Sequence, residues 1–262
     1  ISIGIIVLSQ QNIIPLSVTA ASQAAFVITA LWWGLFTIPM LKNVEQKYYL
    51  ERVPNPVNES FKRLYRTFKN IKQYRPLVLF LLAYFFFIDG VNTIIKMATA
   101  YGTDLGVDST TLLIILFLTQ VVAAPFTALF GKLSEFFNEK RMILAGIVIY
   151  IFICTYALFL DSAFDFWVLA MLVGTAQGGI QALSRSYYGK LIPKEQSNEF
   201  FSFYSIFGKF AAIFGPLLVG ATAHITGKTN SGVFSLIVLF VIGGMILLFV
   251  PYQKNEEGDG AV

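Results

Sequence analysis

The sequence predicts an all-α integral membrane protein, because it is apolar, poor in charge and divided into spans. Of its 262 residues, 56% are hydrophobic and 13% are charged, whereas soluble domains carry about 25% charged residues. The apolar residues are grouped in runs of about 20, which is the length that an α-helix needs to cross a bilayer. A soluble domain is therefore excluded, and the chain divides into membrane spans.

The predicted spans follow one another along the chain with one long interruption. Apolar windows predict a partial span at about 1–10 and full spans near 19–41, 77–100, 110–131, 142–160, 165–188, 200–222 and 231–251. The interruption runs from Lys42 to Arg75, so that two spans precede it and six follow it.

Basic residues predict how the spans are oriented. Sixteen lysines and arginines lie in the connections on one side, against Lys228 alone on the other. Because connections rich in Lys and Arg stay in the cytoplasm, the long connection and the C-terminus are predicted to be cytoplasmic. Basic residues spread over such loops do not indicate nucleic-acid binding.

The long connection also carries an amphipathic pattern. Apolar side chains recur between its basic residues at helical spacing, at Phe61, Leu64, Tyr65, Phe68, Ile71 and Tyr74. Such a helix is expected to lie on the anionic cytoplasmic leaflet, which makes membrane lipids predicted partners. A binding site for a regulatory protein is the alternative.

This order of spans matches part of a transporter built from two six-span halves joined by a linker. The predicted divisions are the last spans of an N-terminal half at 1–41, the basic cytoplasmic linker at 42–75, a complete six-span C-terminal half at 76–252 and a cytoplasmic tail at 253–262. On this interpretation the chain is a fragment, and the missing spans of the N-terminal half would supply part of any site.

The most informative polar residues lie inside one predicted span, on one helical face: Asp89, Asn92, Thr93 and Lys96. Charge inside a membrane costs at least about 2.5 kcal/mol per residue on insertion scales, so such residues usually face a bundle interior or a water-filled path. This favours a site for a polar solute or a coupling ion; an ion pair that only holds helices together is the alternative. Asp89 lies about 18 Å along the helix, near the midplane, whereas Lys96 is close enough to the outer boundary to snorkel.

Two later spans add polar side chains. Gln177, Gln181 and Arg185 follow one another at a spacing of four residues, so they form a stripe on one helix. The two amides are expected either to contact a solute or to bond neighbouring helices, and Arg185 to help close a cytoplasmic gate. Lys209 is expected either to pair with Asp89 or to bind an anionic group of a solute.

Small residues and prolines predict where helices approach one another or bend. Gly174 and Gly178 form a G-x-x-x-G pair, which allows a neighbouring helix to come close. Gly215-Pro216 and Pro125 predict kinks in their spans.

One connection resembles a known signature loop. Gly131-Lys132-Leu133-Ser134-Glu135, followed by Lys140-Arg141, is similar to the loop of the major facilitator superfamily, which has a glycine, an acidic residue four positions on and a basic cluster after a tight turn. Here Phe136 stands in place of the usual basic residue and Asn138 in place of the usual glycine. The resemblance implies gating roles for Gly131, Glu135 and Arg141.

Three further stretches narrow the resemblance: Tyr84-Phe85-Phe86-Phe87-Ile88-Asp89-Gly90-Val91, the stretch 177–186, and the stretch 200–216 with its Gly208-Lys209-Phe210. They look like the vacuole-effluxer branch of the superfamily, whose fungal members are autophagy-related. The resemblance covers about residues 76–250. It implies the major facilitator fold, in which two six-span halves rock about a midplane site, and efflux or exchange of small polar solutes, with amino acids as one class.

The features together predict a secondary active transporter, coupled to protons or sodium ions, in a bacterial plasma membrane. The predicted substrate and coupling-ion residues are Asp89, Asn92, Lys96, Gln177, Gln181 and Lys209. A sensor or scaffold that borrows the fold is the alternative.

An enzyme is not predicted. A membrane-embedded lipid-modifying enzyme needs a pair of acidic residues for Mg²⁺ or a catalytic nucleophile near an interface, and the sequence has no D-x-x-D cluster. A single cysteine, Cys154, and a single histidine, His224, leave no thiolate or imidazole cluster. Neither a metal ion nor a cofactor is therefore predicted.

Overall fold

The computed structural model describes residues 1–45, 55, 58–59, 62, 74–193 and 197–251. Most of the predicted linker at 42–75, with its amphipathic helix, and the tail at 253–262 lie outside these residues. Within the described residues the secondary structure is α-helical, without a β-strand. The helices are α1 (Ser2–Gln10), α2 (Val18–Asn43), α3 (Arg75–Asp104), α4 (Ser109–Phe137), α5 (Glu139–Tyr156), α6 (Ala163–Leu191), α7 (Ser197–Phe210), α8 (Phe214–Thr226), α9 (Thr229–Ser235) and α10 (Ile237–Phe249).

Seven helical stretches in the described part of the chain are long and apolar enough to cross a membrane. They are α2, α3, α4, α6, α5 with the short 3₁₀ turn that follows it, α7 together with α8, and α9 together with α10. These stretches confirm the seven full spans predicted from the sequence, and α1 occupies the predicted partial span. The chain is an all-α, multi-pass membrane protein.

The core of the bundle lies where α6 packs between α4 and α5, and where α3 packs along α10. Gly174 and Gly178 lie at the contact between α6 and α4. A Cβ atom at Gly174 would lie 2.9 Å from the carbonyl oxygen of Thr119, so only glycine lets the two backbones come this close. The predicted close approach of helices at this G-x-x-x-G pair is confirmed.

One span, Ser197–Thr226, is broken between α7 and α8. Pro216 has no N–H group, and its ring clashes with the carbonyl four residues earlier, at Ala212, so a continuous helix is disfavoured there. Pro216 instead occupies the first turn of α8, where an N–H group would have no helical partner. The kink predicted at Gly215-Pro216 is thus a complete break, whereas Pro125 lies inside the uninterrupted helix α4.

Polar contacts join the helices at both ends of the bundle. We call the end with the α4–α5 turn the basic end and the end with the α3–α4 turn the acidic end. At the basic end, Glu139 of α5 accepts a hydrogen bond from Ser186 Oγ at 2.6 Å and pairs with Lys190 Nζ at 3.3 Å, both on α6. At the acidic end, the Tyr101 hydroxyl donates to Oδ1 of Asn230 at 2.7 Å and so joins α3 to α9.

Candidate functional site

Asp89 lies near the middle of α3, and its side chain is fully buried. Its Oδ2 atom accepts a hydrogen bond from the backbone nitrogen of Gly215 at 2.9 Å, and its Oδ1 atom accepts one from Thr93 Oγ1 at 3.4 Å. Gly215 belongs to the first turn of α8, where free N–H groups and the helix dipole favour a negative charge. No side chain caps α8 at its own N-cap residue, Ile213. The carboxylate of α3 therefore caps the helix that begins inside the broken span.

The absence of a side chain at Gly215 makes this contact possible. A Cβ atom there would lie 2.9 Å from Oδ1 of Asp89 and would collide with the Thr93 side chain. Gly215-Pro216 thus has two local effects that follow from its residue types. The proline ends one helix and begins another, and the glycine lets α3 approach the new N-terminus.

A cavity of about 770 Å³, including the space at its mouth, lies beside this contact between α3, α4, α6, α8 and α9. Most of its lining is aliphatic or aromatic, and none of the described residues that line it is charged. Its polar side chains come from Thr93, Thr99, Tyr101, Thr119, Gln120 and Gln177. Thr93 belongs both to the cavity wall and to the surroundings of Asp89. Within the described residues, no group of three or more His, Cys, Asp or Glu side chains could hold a metal ion.

Gln177 lies in the wall of this cavity and is 7% exposed. Its Nε2 atom donates to Oε1 of Gln120 on α4, at 3.3 Å. This bond ties α6 to α4, which is one of the two roles predicted for Gln177. Each amide keeps further donor or acceptor capacity, so the pair is also suited to bond a polar group inside an otherwise apolar cavity.

The other predicted substrate and coupling-ion residues lie away from the cavity lining. Asn92 is partly exposed, and Lys96, Gln181 and Lys209 are exposed. The pairing expected between Asp89 and Lys209 is absent: no ion pair joins them in the described part of the chain. The reason is that Lys209 lies on α7, before the break, whereas the carboxylate of Asp89 faces the start of α8.

The predicted gating residues lie at the basic end, at or near the α4–α5 turn. Gly131 and Glu135 are part of the last turns of α4, and Glu135 and Arg141 are exposed. The tight turn is made by Asn138, which adopts a positive φ of 63° and accepts a hydrogen bond from the Arg141 backbone nitrogen at 3.0 Å. Among the described residues, Glu135 and Arg141 form no ion pair with each other.

Arg185, the remaining gating residue, lies on the last part of α6. It is exposed, and its guanidinium carbon lies 5.0 Å from the ring centroid of Phe201 on α7. At this distance the cation and the aromatic face attract each other. Arg185 thus links α6 to the first half of the broken span.

Three residues that make these polar contacts are not among the site residues predicted from the sequence. Gln120 is an isolated amide in an apolar run, and nothing in the sequence places it opposite Gln177. Glu139 follows the predicted loop and forms an ion pair with Lys190 of α6, which no motif in the sequence indicates. Thr93 was recognised on the polar face of its helix, and its contact with Asp89 at i, i+4 is the signal that could have selected it.

Comparison with known proteins identifies a family that the chain matches. A family profile described as "Vacuole effluxer Atg22 like" matches residues 1–259. The chain is 62% identical over 257 residues to the MFS-type transporter YxiO of Bacillus subtilis (strain 168), which covers 98% of this chain and 60% of that protein. It is 25% identical over 264 residues to autophagy-related protein 22-1 of Penicillium rubens, with 91% of this chain and 45% of that protein covered.

A second fungal relative, autophagy-related protein 22 of Cryptococcus neoformans, is 26% identical over 261 residues, with 91% of this chain and 48% of that protein covered. The chain thus spans 60% of the length of the Bacillus relative and less than half the length of these fungal relatives. The profile match nevertheless extends over almost the whole chain. Together with the helical membrane fold, it shows that the chain belongs to the vacuole effluxer Atg22-like family of the major facilitator superfamily.

Proposed function

We propose that the chain forms part of a secondary active transporter that moves small polar solutes, with amino acids as the first class to test. The observation that carries this proposal is the buried Asp89 carboxylate at the N-terminus of α8, where the span is broken, beside a cavity. Broken helices that end inside the membrane supply the dipoles and free backbone groups with which transporters bind charged groups. The family relationship and the names of the relatives support the same activity.

In the proposed cycle, Asp89 carries the coupling proton or responds to a coupling cation. Burying a carboxylate without hydrogen-bond partners costs free energy, so the charged Asp89 side chain favours its contact with the N-terminus of α8. The strength of that contact therefore depends on whether Asp89 is charged. Protonation would remove the negative charge that the α8 N-terminus faces and weaken the contact at Gly215. The break between α7 and α8 is the place where the span would then move.

The solute is proposed to bind in the cavity and to hydrogen-bond the Gln120–Gln177 pair. Amides both donate and accept hydrogen bonds, so the pair suits a neutral or zwitterionic group. The protein is proposed to lie in the plasma membrane. The positive-inside pattern then orients its basic end toward the cytoplasm. The predicted gate, with Arg185, Gly131, Glu135 and Arg141, would then close the cytoplasmic side.

The test is flux in vesicles made with the protein at the full length that its gene encodes. Wild type is expected to move members of an amino-acid panel in response to a pH or sodium gradient. Asp89→Asn keeps an oxygen that can accept from Gly215 but loses the charge, so it should fold normally and lose gradient-driven flux. Asp104→Asn is the matched control, because Asp104 ends the same helix at the acidic end.

Two results would contradict the proposal at different levels. Gradient-driven flux that is unchanged in Asp89→Asn would remove Asp89 from coupling. A folded wild type that moves none of the panel would instead favour a sensor or scaffold. Replacing Gln177 with Leu should weaken solute binding and raise the half-saturating concentration, which separates the amide pair from the coupling residue.

A further inference from the structure

We infer that Thr93 is the positioning residue through which a solute in the cavity acts on the contact between Asp89 and Gly215. This inference rests on the proposed transport function. Thr93 is the described residue that lines the cavity and also bonds the carboxylate. It therefore lies between the place where a solute would bind and the place where the span is broken.

The geometry on the far side of Thr93 is tight. The Thr93 side chain lies so close to the backbone of Gly215 that any side chain at position 215 would collide with it. Its Oγ1 atom donates to Oδ1 of Asp89, while Oδ2 accepts from the Gly215 nitrogen. A rotation of the Thr93 side chain would thus alter both the carboxylate and the first turn of α8.

The chemistry on the near side of Thr93 allows competition. A threonine hydroxyl has a single proton to donate, so it serves either Asp89 or an acceptor on a solute. The existing bond of 3.4 Å is long for a hydroxyl donor, whose usual distances are about 2.7 to 2.8 Å. A carboxylate or carbonyl oxygen of a solute in the cavity is therefore able to replace Asp89 as the acceptor of the hydrogen bond that Thr93 donates. Solute binding then removes one bond, within α3, that holds the Asp89 carboxylate in place against the start of α8.

Thr119 serves as a control residue for Thr93, because its hydroxyl belongs to the same cavity and does not bond Asp89. The Thr119 hydroxyl donates at 2.8 Å to the Ile115 carbonyl of its own helix. Replacing Thr119 with Val removes a hydroxyl from the same cavity without touching Asp89. Replacing Thr93 with Val removes the hydroxyl that does touch it, and Thr93→Ser keeps that hydroxyl.

The experiment measures hydrogen exchange of the backbone at 211–219 in vesicles that hold the full-length protein. The probe is an equimolar mixture of the twenty proteinogenic amino acids, and efflux of the same mixture is measured in parallel. Without the mixture, Thr93→Val should exchange about fivefold faster at 211–219 than wild type or Thr119→Val, because the Asp89 carboxylate that caps α8 loses one of the hydrogen bonds that position it. If Thr93→Val does not fold, Thr93→Ala removes the same hydroxyl without replacing its volume.

The mixture should speed exchange at 211–219 in wild type, Thr119→Val and Thr93→Ser, but leave Thr93→Val unchanged. The inference is overturned if Thr93→Val responds to the mixture as wild type does, or if Thr119→Val loses the response equally. If wild type exports the mixture while either of these two results is obtained, the inference about Thr93 fails but the proposed transport function is retained. If wild type does not move the mixture at all, the proposed function fails, and the inference that rests on it fails too.

Discussion

Asp89 Oδ2 lies 2.9 Å from the backbone nitrogen of Gly215, a contact between residues 126 positions apart in the chain. It gives a fully buried carboxylate the kind of partner that a lysine would otherwise supply, because the start of a helix behaves as a partial positive charge. It also gives α8 the capping group that its own Ile213 lacks. Asp89 and Thr93 on α3 and the break between α7 and α8 therefore form one structural unit.

The first prediction concerns the glycine of this unit. Gly215→Ala adds a Cβ atom where Asp89 and Thr93 already stand, and neither can retreat without losing the contact. We expect a loss of about 1 to 3 kcal/mol in stability, as for other overpacked sites, together with reduced transport. Gly220→Ala is the control, since Gly220 lies on the same helix with no atom within 4 Å of an added Cβ. Thermal unfolding in detergent measures both, and equal melting temperatures would show that α3 does not hold α8 at Gly215.

The spans and the burial of Asp89 inside the bundle could be predicted from the sequence, because apolar runs and a charge at membrane depth are local signals. The partner of Asp89 could not, because it is a backbone group. Gly215 carries no side chain that a pattern could mark, whereas Lys209 is a cation inside a span and is therefore visible in the sequence. Composition suggests charge pairs between side chains, whereas here helix geometry supplies the compensating group.

At the basic end, the acidic residue that contacts α6 differs from the one that the signature loop marks. The resemblance to a signature loop implies a gating role for Glu135, near the end of α4. The α4–α5 turn is so short, with Asn138 alone between the helices, that the next acidic residue already begins α5 and faces α6. Which of the two carboxylates reaches α6 depends on helix rotation, and the sequence alone does not fix that rotation.

The second prediction tests this contact. Glu139→Gln keeps an acceptor for Ser186 but removes the charge that Lys190 faces, so stability should fall by about 1 kcal/mol. Glu135→Gln should alter stability by less than about 0.5 kcal/mol because Glu135 is exposed. A double-mutant cycle with Lys190→Met isolates the pair. A coupling energy near zero in thermal unfolding would mean that the ion pair contributes nothing to the fold.

The third prediction concerns Lys140, at the start of α5. Its Nζ atom donates to the carbonyl oxygens of Leu248 at 2.9 Å and Val250 at 2.6 Å, and so neutralises the free carbonyls at the C-terminal end of α10. Lys140→Met should cost about 1 kcal/mol. Lys132→Met removes an exposed lysine from α4 and is the control. If both variants unfold at the wild-type temperature, the lysine does not anchor α10.

The last prediction concerns Asp108, which caps α4 at the acidic end. Its Oδ1 atom accepts from the backbone nitrogens of Thr110 and Thr111, each at 3.0 Å. A hydrogen bond from the Thr111 side chain is the main cause that lowers the pKa of Asp108 below its ordinary value. Because the pKa is lower in the folded state, the charged cap stabilises the fold above the ordinary carboxyl pKa of about 3.9. That contribution fades as the pH falls through the lowered value.

Two substitutions separate the charge of this cap from its hydrogen bonds. Asp108→Asn keeps a good N-cap residue, so it should melt close to wild type at neutral pH, whereas Asp108→Ala should melt lower. On acidification below about pH 4, wild type should lose the part of its advantage over Asp108→Ala that comes from the charge, because the carboxylate becomes protonated while its oxygen can still accept a hydrogen bond. The difference between Asp108→Asn and Asp108→Ala should stay nearly constant, since neither side chain titrates. A wild-type advantage that persists with no change down to pH 2 would contradict the ionised cap.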